Sequence, residues 1–394
     1  MTDSARTDHP MFLLTEGGPT YRIERWAGLV REYSPLIVRR ALFSIFLTWV
    51  PLLALSALQG NAIGARVAIP FLHDFAAYSR FLFGLPLLLV AESVLGPQIA
   101  HAGSHFIHSG LVLEEDYERF DRAVEKGLQW RDSAFAELLI LILAYCVAYA
   151  TLNSLAVQSS TWYVTRTGTA HSLTMAGRWF AFFCVPFIQF ILLRWLWRLF
   201  LWGQFLWRMS KLDLQLTPTH PDEAGGLGFT GEAHRFFSII LFAYSVGAVG
   251  VLANNIVYDK VPLAHFAPLI GAYVVVAVVI FLLPLCVFAP ILVRTKRIGL
   301  YKYGSLATEY TSSFQKKWIE TQPPREEVLL GSSDVQSLAD LGNSFSFIGK
   351  MGMLPTEHGT PVALALACLV PMAPLLLTVM PLGELLKTLV KLFL

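Results

Sequence analysis

Repeated apolar runs of bilayer-spanning length constrain this chain more than any other feature. A transmembrane helix needs roughly 20 predominantly apolar residues. Such runs occur at 41–58, 80–110, 134–152, 178–212, 235–257 and 266–293, with a seventh at 362–380 broken by Pro371 and Pro374. Inside lipid every backbone N–H and C=O must be satisfied within the segment, which makes these runs helices. The sequence therefore predicts an all-α polytopic membrane protein with six or seven transmembrane helices, built of helical hairpins whose helices extend into the cytoplasm. The 55% hydrophobic content and 15% charged content agree, and a net charge of +2 gives no basis for nucleic-acid binding. The four cysteines lie singly inside apolar runs and read as small buried hydrophobes, not as a disulfide or thiolate set. About forty polar residues precede the first run, which does not fit a cleavable signal peptide, so that run is a retained span.

The chain divides into an N-terminal segment 1–40, spans 1 and 2 at 41–110, an amphipathic helix at 111–133, spans 3 and 4 at 134–212, a Gly-rich loop at 213–234, spans 5 and 6 at 235–297, a cytoplasmic helical segment at 298–361, and span 7 or a re-entrant segment with an amphipathic tail at 362–394. Residues 1–20 read as disordered. From Tyr21 to Glu32, Ile23, Trp26, Leu29 and Val30 oppose Arg22, Arg25 and Arg31, the pattern of an interfacial helix. In 111–131, the stripe Tyr117, Phe120, Val124 and Leu128 marks a helix packed on a neighbour. Ser333 to Gln336 offers a helix start and Gly342 a stop, after a Pro323-Pro324 break. Lysine and arginine concentrate in the N-terminal segment and in the 2–3, 4–5 and 6–7 connections, which places the N-terminus in the cytoplasm.

One regularity crosses the hairpins. Pro86, Pro186 and Pro284 sit inside spans 2, 4 and 6, spaced by 100 and 98 residues, and LPLLLVAE at 85–92 resembles LPLCVFAP at 283–290. Three parallel hairpin repeats would produce this pattern, as would the ordinary frequency of proline in membrane helices.

Glu92 is the first candidate for chemistry. Counted from Arg80 as a water boundary, it lies about 18 Å along the span, and ionisable groups at such depth usually face a bundle interior. Arg194 of span 4 falls within a turn of the same depth and is the partner this counting names. Gln189 and Tyr244 would complete a polar lining. A second candidate is the face His101, His105 and His108, at i, i+4 and i+7, whose imidazoles suit a divalent metal, supplemented by His220, Asp222 and His234. An interfacial helix end decorated with histidines explains the same pattern without metal. The loop Gly225-Gly226-Leu227-Gly228-Phe229-Thr230-Gly231 could cradle a phosphate, but it lacks a P-loop Lys-Ser/Thr, and Asp222 and Glu223 oppose an anion; a tight structural turn accounts for it better.

The run LTMAGRWFAFF…QFILLRWLWRLFLWGQFLWRMSKLDLQL…PTHPDEAGGLGF at 173–229, with FLHDFAAYSRFLFGLPLLLVAE at 71–92, resembles a family of bacterial multi-pass inner-membrane proteins with no assigned activity. The resemblance implies a bacterial inner-membrane location and carries no reaction with it. Three classes stay open on the sequence: a channel or transporter with Glu92 on its path, a metal-dependent membrane enzyme using the histidine face, and a non-catalytic scaffold docking a soluble cytoplasmic partner. Helices projecting beyond the membrane need partners, which predicts a homo-oligomer.

Overall fold

The computed structural model describes residues 9–31, 34–154, 160–167, 170–320, 332–356 and 359–379. Seven helices among these are long and apolar enough to cross a membrane: span 1 Ile37–Leu58, span 2 Phe75–His108, span 3 Ala134–Leu152, span 4 Met175–Met209, span 5 Gly228–Val257, span 6 Leu263–Glu320 and span 7 Gly359–Thr378. The fold is all-α apart from two short antiparallel pairs, Val30–Arg31 with Ser34–Pro35 and Val164–Thr167 with Ala170–Leu173. The face carrying the N-terminal helix Gly18–Trp26 is called proximal below, and the opposite one distal.

Spans 2 and 4 begin earlier than the sequence reading placed them, because each has a polar N-cap. The Asp74 carboxylate accepts the N–H groups of Ala76 and Ala77, and the Thr174 hydroxyl accepts that of Gly177. Each span then widens into a π-helical turn, Ser79–Gly84 and Phe180–Cys184, just before Pro86 and Pro186. A proline lacks an N–H and presses on the carbonyl four residues back, and a wide turn accommodates that clash. In span 4 the carbonyl concerned, Phe182 O, takes the Tyr145 hydroxyl of span 3 at 3.2 Å. Caps, π-turns and prolines thus recur in spans 2 and 4 at a spacing of 100 residues. Span 6 departs from the pattern: its helix starts 21 residues before Pro284, which sits in a 3-10 segment, Leu283–Phe288.

Three further expectations are corrected. Residues 9–16 are not loose: Phe12 and Leu14 are buried, with the Phe12 ring stacked 4.6 Å from Phe205 and His9 paired with Asp121 at 2.8 Å. Gly342 stops no helix, since Ser333–Lys350 runs through it and packs along the rod that continues span 6 to Glu320. Its Asp334 holds the rod by accepting from Lys317 and Trp318, each at 2.9 Å. The N-terminal helix is shorter than 21–32 and turns Glu24 inward, while Ile23 and Trp26 stay exposed and Leu29 and Val30 are buried after its end. The helix Tyr117–Arg131 does bury Phe120 and Val124, packing along span 4. The Pro323-Pro324 break and the tail from Leu382 lie outside the described residues.

One core runs through the bundle and its proximal extension, with Trp162, Trp195, Trp202, Phe106, Phe120 and Phe205 fully enclosed. Small residues let spans 2 and 5 approach closely. A Cβ at Gly250 would stand 2.6 Å from the Phe75 carbonyl oxygen, and one at Gly84 would stand 3.3 Å from that of Ala243.

Candidate functional site

Glu92 sits at the centre of a buried ion-pair network. Its carboxylate accepts from Arg198 at 2.5 Å and from Arg40, and Arg194 stands 3.7 Å away. Arg194, the partner expected from depth counting, is therefore the looser one. Side chains in a helix lean toward its N-terminus, so Arg198, one turn further along, reaches back to Glu92. Arg40 also binds Glu24 at 2.7 Å, and Arg194 lies 3.8 Å from both Glu24 and Glu137. Glu137 in turn accepts the N–H and hydroxyl of Thr20 at 2.9 and 2.8 Å. Three carboxylates thus balance three guanidiniums, and together they join the N-terminal helix to spans 1, 2, 3 and 4. Burial, with Glu92 beside it, pushes the Glu24 carboxyl above its ordinary range against the pull of Arg40, Arg194 and Arg198.

The network lies toward the proximal edge of the hydrocarbon layer. Arg40 and Glu137 are each three residues past the proximal start of their span. Glu92 lies about 26 Å from Phe75 and Arg194 about 28 Å from Met175, close to the full thickness of about 30 Å. Glu92 is consequently a compensated node near one boundary and not a lone carboxylate at mid-membrane.

Gln189 and Tyr244 lie elsewhere, on a cavity of about 180 Å³ lined by spans 2, 3, 4 and 5. Arg80 and Gly84 from one π-turn and Phe180 from the other line it, with Leu88, Ile188 and Leu192. The Tyr244 hydroxyl donates to Leu192 O at 2.6 Å. Arg80 is the residue the sequence reading used only as a boundary marker; an arginine inside an otherwise apolar run was the available signal. Behind the lining residue Leu88 stands Trp195, which is 1% exposed and donates its indole N–H to Leu88 O at 3.0 Å. The Arg198 guanidinium covers the same ring at 4.7 Å. Leu88 and Trp195 therefore separate the cavity from the ion-pair network.

The histidine face and the Gly-rich loop meet at the proximal surface. His105 lines two adjoining depressions: one shared with His220, Asp222 and Glu232, the other with His101, His108, Glu232 and Arg235. His234 is not among them; it is buried at the start of span 5, and its Nε2–H donates to Phe281 O at the break made by Pro284. His108 Nδ1 lies against Ser104 O at 2.9 Å. Among the described residues no three His, Cys, Asp or Glu side chains converge as a metal would require.

The loop does cradle an anion, and that anion is the protein's own. Asp222 accepts the backbone N–H groups of Ala224 at 2.9 Å, Gly226 at 3.0 Å and Gly228 at 2.8 Å. Gly226 has φ +101°, which an L side chain rarely adopts. Burial alone would raise the Asp222 carboxyl, but the N–H groups of Gly228, Ala224 and Gly226 outweigh it and hold it below the usual carboxylate range.

This architecture defines a multi-pass integral membrane protein of the helical class, with a cavity between spans 2, 3, 4 and 5 and a buried charge network on its proximal side. Set against known protein-family models, curated proteins and solved structures, the chain matches none of them.

Proposed function

We propose that this protein is a channel or transporter that moves an ion or small polar solute through the interior of the bundle. The observation that carries the reading is the cavity between spans 2, 3, 4 and 5: it lies within the bilayer-crossing region, at two π-turns, and collects Arg80, Gln189, Tyr244 and Thr151 in otherwise apolar walls. Open binding positions for solutes in helical transporters lie where helices are locally irregular, because regular helices leave no backbone free to line a path. The conformation described is closed on the proximal side by Leu88, Trp195 and the Glu92 network, so Glu92 acts at the gate and not at the solute. Basic residues concentrated on the proximal connections support a cytoplasmic N-terminus, and the bacterial inner membrane is the setting the sequence resemblance suggests. The proximal layer of projecting helices supports a homo-oligomer, which cross-linking in native membranes would reveal and a purely monomeric product would refute.

The test is solute flux into liposomes containing the purified protein. Flux above that of protein-free liposomes, increased in Trp195→Ala by removal of the side chain behind Leu88, agrees with the proposal. Wild type and Trp195→Ala both matching empty liposomes under cation, anion and proton gradients would overturn it.

A further inference from the structure

Arg80 lies five residues past Phe75, about 8 Å into the span, and its guanidinium stays protonated under all ordinary conditions. Among the described residues it makes no hydrogen bond and no ion pair. The carboxylate whose field reaches it is Asp74. Both oxygens of Asp74 are already taken, one by Asn254 at 2.7 Å and the Ala76 N–H at 2.8 Å, the other by the Trp162 indole at 2.7 Å. A cation in a low-dielectric setting without a bound counter-charge is costly, and bundles retain such groups where they serve a ligand. Arg40, Arg194 and Arg198 are each matched to carboxylates, whereas the partly buried Arg80 is not, and that contrast within one molecule points to Arg80.

The cavity's chemistry selects the ligand. None of its lining residues is acidic, which leaves a cation without an anionic partner. Tyr244 spends its hydroxyl proton on Leu192 O and Thr151 on Val147 O, which leaves the Arg80 guanidinium and the Gln189 amide as the donors among the lining side chains. Beyond these groups the walls are apolar, which disfavours a strongly hydrated divalent oxyanion and suits one that sheds water readily. A volume of about 180 Å³ holds about six waters at ~30 Å³ each, enough for a halide or a small planar oxyanion with part of its hydration shell.

We infer that this cavity is a binding site for a small monovalent anion, a halide or a planar species such as nitrate or formate, with Arg80 as its counter-ion and Gln189 as a second donor. The inference deepens the transport reading and rests on it for the purpose of the cavity, but binding can be measured without flux. The experiment is calorimetric titration of the detergent-purified protein, exchanged into a gluconate buffer, with nitrate, chloride and, as the opposite-sign probe, rubidium gluconate. Wild type is expected to bind nitrate or chloride saturably. Arg80→Gln should lose at least tenfold in affinity, Arg80→Lys should retain part of it, and Gln189→Leu, which keeps the charge, should weaken binding severalfold. Monodisperse elution and an unchanged melting temperature identify variants that fold; if Arg80→Gln does not fold, Arg80→Lys and Gln189→Leu decide. No anion binding by wild type, an affinity unchanged in the folded variants, or saturable rubidium binding in place of anion binding would overturn the inference. Anion binding without flux would leave it standing and refute the transport reading, whereas cation flux without anion binding would do the reverse.

Discussion

Replacing Glu92 with glutamine keeps the shape of the side chain and removes its charge, leaving Arg40, Arg194 and Arg198 facing only Glu24 and Glu137. Both direct partners are buried, Arg40 at 6% and Arg198 at 3% exposure, so neither guanidinium can recover its loss from water. Breaking a buried pair on one side costs about 3–5 kcal/mol, and Glu92→Gln should lose that much. Adding Arg198→Met restores the balance of charges and replaces the freed cation with a side chain that packs. The double variant should then recover about 2 kcal/mol relative to the sum of the single changes. Denaturation of the purified protein in detergent, followed by tryptophan fluorescence, reads both quantities, since the chain carries 10 tryptophans, one of them in contact with Arg198. Effects of Glu92→Gln and Arg198→Met that simply add to within about 0.5 kcal/mol would show that the groups do not form a coupled network, and the reasoning would fail.

Two further outcomes follow from local geometry. Asp222→Asn removes a carboxylate that satisfies three backbone N–H groups and should cost the loop about 2 kcal/mol, read as faster hydrogen exchange at 224–228. The folded carboxyl is held below its ordinary value, so its contribution is present above the unfolded pKa of about 4 and is lost as pH falls through the lower folded one; loop exchange that is indifferent to acid in that window would contradict the assignment. Gly250→Leu forces a side chain into the backbone of Phe75 and Ala76 and should separate spans 2 and 5, lowering the melting temperature far more than Gly271→Leu, where nothing lies within 4 Å. Equal effects at the two glycines would refute the close packing of these spans.

Much of the fold was legible because membrane helices announce themselves by composition. Span 3 was expected at 134–152 and occurs there, and the stripe of Phe120 and Val124 correctly marked a packed extramembrane helix. The prolines at 86 and 186 marked where spans 2 and 4 depart from α geometry, although a missing N–H does not by itself say that a π-turn precedes it. What escaped were facts of tertiary placement. Phe12 and Leu14 lie in a four-residue apolar stretch, Met11 to Leu14, too short to show a period, and their burial follows from tertiary neighbours, Phe205 and Trp202 beside the Phe12 ring. Arg40 opens an apolar run, a place where an arginine ordinarily marks the membrane boundary, yet here that boundary is also where Glu24 and Glu92 converge on it. Gln189 and Tyr244 were found from polarity within apolar runs, but grouping them with Glu92 rested on depth alone. Depth cannot register that Trp195 and Leu88 stand between them.

The central claim, that the cavity lies on the solute's path, is tested most directly by plugging it. In a background with the four native cysteines replaced, Gln189→Cys places a thiol on the cavity wall, and Ile142→Cys places one on the exposed, lipid-directed side of span 3. Each variant is reconstituted into liposomes, treated with a small charged methanethiosulfonate reagent, checked for complete modification by mass, and assayed for flux. Modification at position 189 should abolish flux while modification at 142 leaves it intact. Undiminished flux through protein fully modified at 189 would contradict the account.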